Sequence, residues 1–93
     1  MAYARVVTFE GVSEEAANEI QQEINQGERP DDIPATEIMV LADTGSGKVQ
    51  IITFYDSEED YQRGDQTLQG MSPPEGMNRT SVEKYEVTVR RTA

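Results

Sequence analysis

Apolar positions along this chain fall into four short runs of strand type and two stripes of helix type. Tyr3 to Phe9 (Tyr-Ala-Arg-Val-Val-Thr-Phe) is rich in β-branched and aromatic residues and predicts a first strand. From Glu14 to Gln26, Ala16, Ile20 and Ile24 recur every fourth residue with Ala17 beside them, the apolar stripe of an amphipathic helix. Ser13 stands as its N-cap, two acids fill its first turn, and Gly27 ends it. Glu28 to Pro34, with two prolines and a pair of aspartates, reads as an exposed connection. Ala35 to Ala42 and Lys48 to Ser57 predict two strands joined by the turn Asp43-Thr-Gly-Ser-Gly47. Ser57-Glu-Glu-Asp60 resembles a capping box and opens a second helix to about Gln69, with Tyr61, Gly64, Asp65 and Leu68 along one side. A helical glycine costs roughly 1 kcal/mol relative to alanine, which a close approach of Gly64 to the sheet would explain. Gly70 to Thr80, containing Pro73-Pro74, reads as an irregular loop. Val82 to Arg91 reads as the last strand, with Tyr85, Val87 and Val89 on one face and Lys84, Glu86, Thr88 and Arg90 on the other.

The order β-α-β-β-α-β is the ferredoxin-like arrangement: a single α+β domain over residues 1–93, with a four-stranded antiparallel sheet and both helices on one face. An internal echo supports it, since Val6-Val-Thr-Phe-Glu followed by Ser13-Glu-Glu is matched by Ile51-Ile-Thr-Phe-Tyr followed by Ser57-Glu-Glu. The two middle strands are apolar in both phases: Ile38 and Val40 alternate with Met39 and Leu41, and Ile51 with Ile52 and Phe54. Successive strand side chains point to opposite faces, so such a sheet needs cover on both. The helices supply one cover. Burying an Ile, Leu or Phe is worth roughly 1.5–3 kcal/mol, so leaving four or five in water forgoes on the order of 10 kcal/mol, the scale of a whole domain's stability. A second copy of the same sheet is the simplest cover for the other face, which predicts a homodimer packed sheet against sheet, a dimeric α+β barrel.

Charge and composition remove several functions. The net charge is −10, from 18 acidic against 8 basic residues, and such a surface repels phosphate backbones, which argues against a nucleic-acid partner. With neither histidine nor cysteine, the chain lacks the commonest general base, the commonest metal ligand and the thiolate nucleophile. Gly45-Ser-Gly-Lys48 lacks the first glycine and the closing hydroxyl of a P-loop, with Ala42 and Val49 in their places, and reads as a hairpin turn. The acidic pairs at Asp31-Asp32 and Glu58-Glu59-Asp60 lack the ligand spacing of a calcium loop and read as a solvated loop and a helix N-terminus. No catalytic residue, metal site or cofactor is assigned. No apolar run is long enough to span a membrane and no secretory signal opens the chain, so a cytoplasmic protein is expected.

Two sets of residues invite a ligand. Arg5 lies in the first strand on the face shared with Val7 and Phe9. A buried arginine there either receives a ligand carboxylate through a two-pronged hydrogen bond or pairs with Glu86 or Glu83 of the neighbouring last strand, the commoner outcome. Tyr55, Tyr61 and Tyr85 stand at the end of the third strand, the start of the second helix and the middle of the last strand. They either line one pocket between sheet and helices or serve as amphipathic core residues.

With these residues laid out, the chain resembles the dimeric α+β-barrel superfamily that includes the antibiotic-biosynthesis-monooxygenase-like proteins. The resemblance rests on Tyr3-Ala-Arg-Val-Val-Thr-Phe-Glu-Gly, Ile51-Ile-Thr-Phe-Tyr-Asp-Ser-Glu-Glu and Val82-Glu-Lys-Tyr-Glu-Val. It implies sheet-to-sheet pairing and a ligand held between sheet and helices. The heme-degrading branch would want asparagine where Ala4 stands, tryptophan where Tyr55 stands, and a histidine on the second helix, so heme degradation is not implied. The Tyr55 position points into the family's pocket, and strand parity is expected to place Thr53, Thr8 and Val6 with it. The expected protein is a homodimer, leaning away from catalysis, that binds a small apolar or aromatic molecule. The alternatives are a cofactor-independent monooxygenase in which Tyr55 orients a deprotonated substrate, and a protein-interaction module using a sheet edge or the 70–80 loop.

Overall fold

Each helix begins where a serine caps it. Ser13 Oγ accepts a hydrogen bond from Ala16 N at 3.1 Å and Ser57 Oγ accepts one from Asp60 N at 3.1 Å, satisfying amide donors that the first helical turn leaves free. The computed structural model describes residues 2–27, 33–43, 45–70 and 78–92. Its elements run β1 (Tyr3–Glu10), α1 (Glu14–Gln26), β2 (Glu37–Asp43), β3 (Lys48–Tyr55), α2 (Glu58–Gln69) and β4 (Asn78–Glu86). One antiparallel sheet of four strands forms in the order β2-β3-β1-β4, the ferredoxin-like topology. The echoed segments become the two central strands, lying side by side with Val7 opposite Ile51 and Val6 opposite Ile52.

Register assigns every sheet residue to a face. Val7, Phe9 and Val49 pack with Val12, Ala17 and Ile20 in one buried cluster under α1, flanked by Ala16, Ile24, Val40, Ile51 and Val82. A second cluster, Ile33, Ala35, Tyr55 and Tyr61 with Tyr3 and Leu68 against it, sits under α2. Both helices therefore cover the face that carries the odd-numbered residues of β1 and β3. Ile33 is buried, so the expectation of an exposed connection up to Pro34 fails at that residue, which supplies apolar cover beside Tyr55; residues 28–32 lie outside the described ones.

The turn from Asp43 to Gly47 closes as its composition predicts. Asp43 Oδ1 accepts from Gly45 N, Asp43 O accepts from Gly47 N, and Gly47 takes a φ of +72°. Gly47 O in turn accepts from Val12 N at 2.9 Å, and a Cβ at Gly47 would meet Val12 O at 3.1 Å. The last strand is displaced from its predicted span. It runs over Asn78–Glu86 rather than Val82–Arg91, because its pairing with β1 ends where Tyr3 stands opposite Glu86 and only one backbone bond, Val87 N to Ala2 O, follows. At its start the register slips by one residue between Thr8 and Phe9, so Thr80 bulges and donates its hydroxyl to Thr8 O. Residues 78–80, expected in a loop, thus belong to the sheet, and Pro73-Pro74 lies outside the described residues.

The other face carries Ala4, Val6, Thr8, Gln50, Ile52 and Phe54 from the centre, Met39 and Leu41 from one edge and Tyr85 from the other. No helix covers it. Met39 and Leu41 are 40% and 46% exposed. After β4 the chain leaves the sheet: Val87 N donates to Ala2 O, and Arg90 reaches Glu37 on the far edge strand with its guanidinium over the Phe54 ring. The tail thereby crosses one end of the open face. Among the described residues no helix is long and apolar enough to cross a membrane.

Candidate functional site

Polar groups inside a small domain are costly unless paired, and the helix-covered face holds a cluster of them. Arg5 on β1 stands opposite Thr53 on β3, and Tyr55 follows two residues along the same strand on the same face. All three are buried, at 3%, 6% and 0% exposure. Above them α2 contributes Gly64 and Asp65. Arg5 Nε donates to Asp65 Oδ1 at 2.9 Å, joining strand and helix through an ion pair whose acid is partly exposed.

Arg5 is thus ion-paired, but with Asp65 rather than with Glu86 or Glu83. Register explains the difference. The β4 residue opposite Arg5 is Lys84, Glu83 lies opposite Val6 on the other face, and Glu86 lies opposite Tyr3. Glu83 instead accepts from the Tyr85 hydroxyl at 2.7 Å, and that carboxylate holds the Tyr85 hydroxyl above its ordinary pKa. Lys84 bonds Glu58 at 3.1 Å and lies about 5 Å from the Tyr3 and Tyr61 ring centres.

Gly64 lets α2 sit directly on Tyr55. A Cβ at residue 64 would fall 2.5 Å from Tyr55 Cε1 and Oη, so only glycine fits that approach. Tyr61, one turn earlier, meets the Tyr55 ring edge-on with centroids 5.5 Å apart, and Tyr3 packs against Tyr61 in turn. Burial pushes the Tyr55 and Tyr61 hydroxyls above their ordinary pKa; at Tyr55 the Thr53 hydroxyl and the Arg5 cation oppose that rise and Asp65 adds to it. Both therefore stay protonated at neutral pH.

Among the described residues three buried polar atoms in this cluster, Arg5 Nη2, Thr53 Oγ1 and Tyr55 Oη, lack a hydrogen bond of good geometry, although the Thr53 hydroxyl lies near enough to Tyr55 to oppose the rise in its pKa. Arg5 and Thr53 are cross-strand partners, Tyr55 lies against Gly64 and Arg5 against Asp65. The predicted pocket residues divide between the faces. Tyr55, Thr53, Tyr61 and Arg5 come together under α2. Val6 and Thr8 pair with Ile52 and Gln50 on the open face, and Tyr85, opposite Ala4, is half exposed there. The shared-parity expectation for Val6 and Thr8 is overturned by the register, which sets odd residues of β1 against odd residues of β3. Asp65 is the member that residue reading left without a role. Its place four residues after Tyr61, on the helix face turned to the sheet, is the signal that points to it.

Beside the cluster a groove of about 410 Å³ runs between α1 and β2, lined by Gln21, Ile24, Asn25, Ile38 and Val40. Ile38 is the cross-strand neighbour of Thr53, so the groove adjoins the cluster through that residue, while Thr53 and Arg5 themselves are buried and do not line it. Among the described residues no group of acids could hold a metal ion. Comparison with known proteins finds no matching family model and no matching curated sequence.

Proposed function

We propose that this protein binds a small apolar or aromatic molecule between its sheet and helices, as a homodimer of the dimeric α+β-barrel, antibiotic-biosynthesis-monooxygenase-like type. The observation that carries the reading is the set of buried polar atoms on Arg5, Thr53 and Tyr55 that lack a hydrogen bond of good geometry among the described residues. Leaving a buried donor unsatisfied costs about 1–3 kcal/mol each. A fold that keeps three such atoms in one patch gains when a ligand satisfies them. The groove between α1 and β2, which adjoins the cluster at Ile38, has the volume of ordinary small-molecule sites, roughly 300–1,000 Å³. Tyr55 is packed against Gly64 through both its ring edge and its hydroxyl and against Tyr61 through its ring, so a ligand would reach its hydroxyl only as α2 shifts. Thermal-shift screening with planar aromatic compounds tests the reading: binders raise the melting temperature of the wild type and lose their effect in Thr53→Val. If no compound in a broad aromatic set shifts the transition, the reading is wrong.

The homodimer rests on the open face, where exposed Met39 and Leu41 stand beside half-buried Ile52 and Phe54, an apolar surface that a single copy covers only in part. Light scattering at micromolar concentration should return twice the chain mass, and Leu41→Lys should return the mass of one chain. A folded wild type at the single-chain mass refutes the dimer. A cofactor-independent monooxygenase is the second reading. It is favoured by the Arg5 cation, whose charge would hold a deprotonated substrate oxygen in place.

A further inference from the structure

The segment after β4, Val87-Thr-Val-Arg-Arg91, has three β-branched residues followed by two arginines, yet it does not continue the sheet. After the bond from Val87 N to Ala2 O it turns across the strands, leaving Val89 exposed, and Arg90 anchors its far end. Cross-strand partners share a face, so register sets Glu37, Phe54, Ala4 and Tyr85 in one row on the open face. Arg90 closes on that row: its guanidinium bonds the Glu37 carboxylate and lies 5.0 Å from the centre of the Phe54 ring. A segment that leaves the sheet at the β4 edge is thereby returned to the β2 edge.

Two sheets packed face to face stand about 10 Å apart, and their side chains fill the gap. A guanidinium stacked on Phe54, with its own backbone behind it, takes up that space at one end of the face. Pairing over it would also strip water from a charge and its acid, both now about half exposed. The closed tail and a partner copy therefore compete for Phe54. We infer that residues 87–92 form an autoinhibitory strap: latched through Arg90 onto Glu37 and Phe54, the strap opposes pairing of the open faces and unlatches before two copies meet. The inference rests on the homodimer reading above and adds the regulation of that interface. An exposed ion pair and an exposed cation–π contact are each weak, and together they favour the closed tail by about fivefold. Both copies must open, so the latch raises the dimer dissociation constant by that factor squared, about 25-fold.

Sedimentation equilibrium of the full chain compares the wild type with Arg90→Gln and Glu37→Gln. Each substitution breaks the latch, and each is expected to lower the dimer dissociation constant by about 25-fold. The two variants control for charge. Arg90→Gln makes a chain of net charge −10 one unit more negative and Glu37→Gln makes it one unit less negative. An effect acting only through repulsion between copies would shift the two constants in opposite directions. The latch also has a readout that needs no dimer. In the Leu41→Lys background, which holds the protein as a single chain, Glu37→Gln should move the Arg90 Nε–Hε cross-peak in nitrogen-15 NMR spectra. A wild type that dimerises, with a dissociation constant that either variant leaves unchanged or raises, overturns the strap and leaves the dimer reading standing. An Arg90 peak indifferent to Glu37→Gln also overturns the strap alone. Absence of any dimer, in the wild type and in both variants, overturns the two together.

Discussion

Gly64→Ala should destabilise this protein although it replaces glycine with the best helix former. Intrinsic propensity alone favours alanine by about 1 kcal/mol in a helix interior. Against that, the added Cβ would lie 2.5 Å from Tyr55 Cε1 and Oη and 2.7 Å from Cζ, where ordinary carbon contacts are about 3.5–4.0 Å. Relief requires α2 to rise by about 1 Å or the Tyr55 ring to turn. The ring is fully buried and edge-on to Tyr61, so turning it sacrifices an aromatic contact worth about 0.5–1.5 kcal/mol. Raising α2 instead lengthens the Arg5–Asp65 bond next door. With an overpacking cost of about 1–3 kcal/mol on top, the expected net loss is about 1–3 kcal/mol after the propensity gain is subtracted. For a domain of this size that corresponds to a fall in Tm of roughly 5–20 °C. Urea unfolding followed by circular dichroism measures it, and Tyr55→Leu supplies the cycle. In that background the Gly64→Ala cost should shrink by at least about 1 kcal/mol, the coupling expected of residues in contact. A Gly64→Ala variant more stable than wild type by about 1 kcal/mol, as at a solvent-facing helical glycine, would refute the close-approach account.

Removing Asp65 leaves Arg5 as a buried cation without its acid, and Asp65→Ala should cost about 2–4 kcal/mol in urea unfolding, below the range for a fully buried pair because the carboxylate is partly exposed; a loss under about 0.5 kcal/mol would count against the pair as a structural tie. Because burial raises the Tyr55 and Tyr61 pKa values, their hydroxyls ionise in the unfolded chain at a lower pH than in the folded one. The unfolded state then binds fewer protons, so stability is full below about pH 10 and falls above it by up to about 1.4 kcal/mol per pH unit for each tyrosine. Tm measured from pH 8 to 11 should show that decline, and Tyr61→Phe should make it shallower; an unchanged slope would remove Tyr61 from the alkaline transition.

Local sequence determined a great deal here. Two serine caps, one glycine-bearing turn and the phase of the apolar residues specify two helices and a hairpin, since these features act over three or four residues. The alternation of Ile, Val, Met and Leu likewise announces a sheet apolar on both faces before any partner strand is known. What no local pattern carries is which residue of one strand stands opposite which residue of another. That register separates Val6 and Thr8 from Tyr55 and Thr53, and it puts Lys84 where an acid was expected to meet Arg5. At the start of β4 the Thr80 bulge adds a one-residue slip that shifts Arg79 and Asn78 relative to simple alternation, which no local pattern shows either. The Arg5–Asp65 pair spans sixty positions of chain and exists only because α2 descends onto Tyr55 at a glycine. Helices and turns are settled by neighbours in sequence; a buried site made of one strand, its partner and a crossing helix is settled by packing, where steric fit and the pairing of buried polar groups decide.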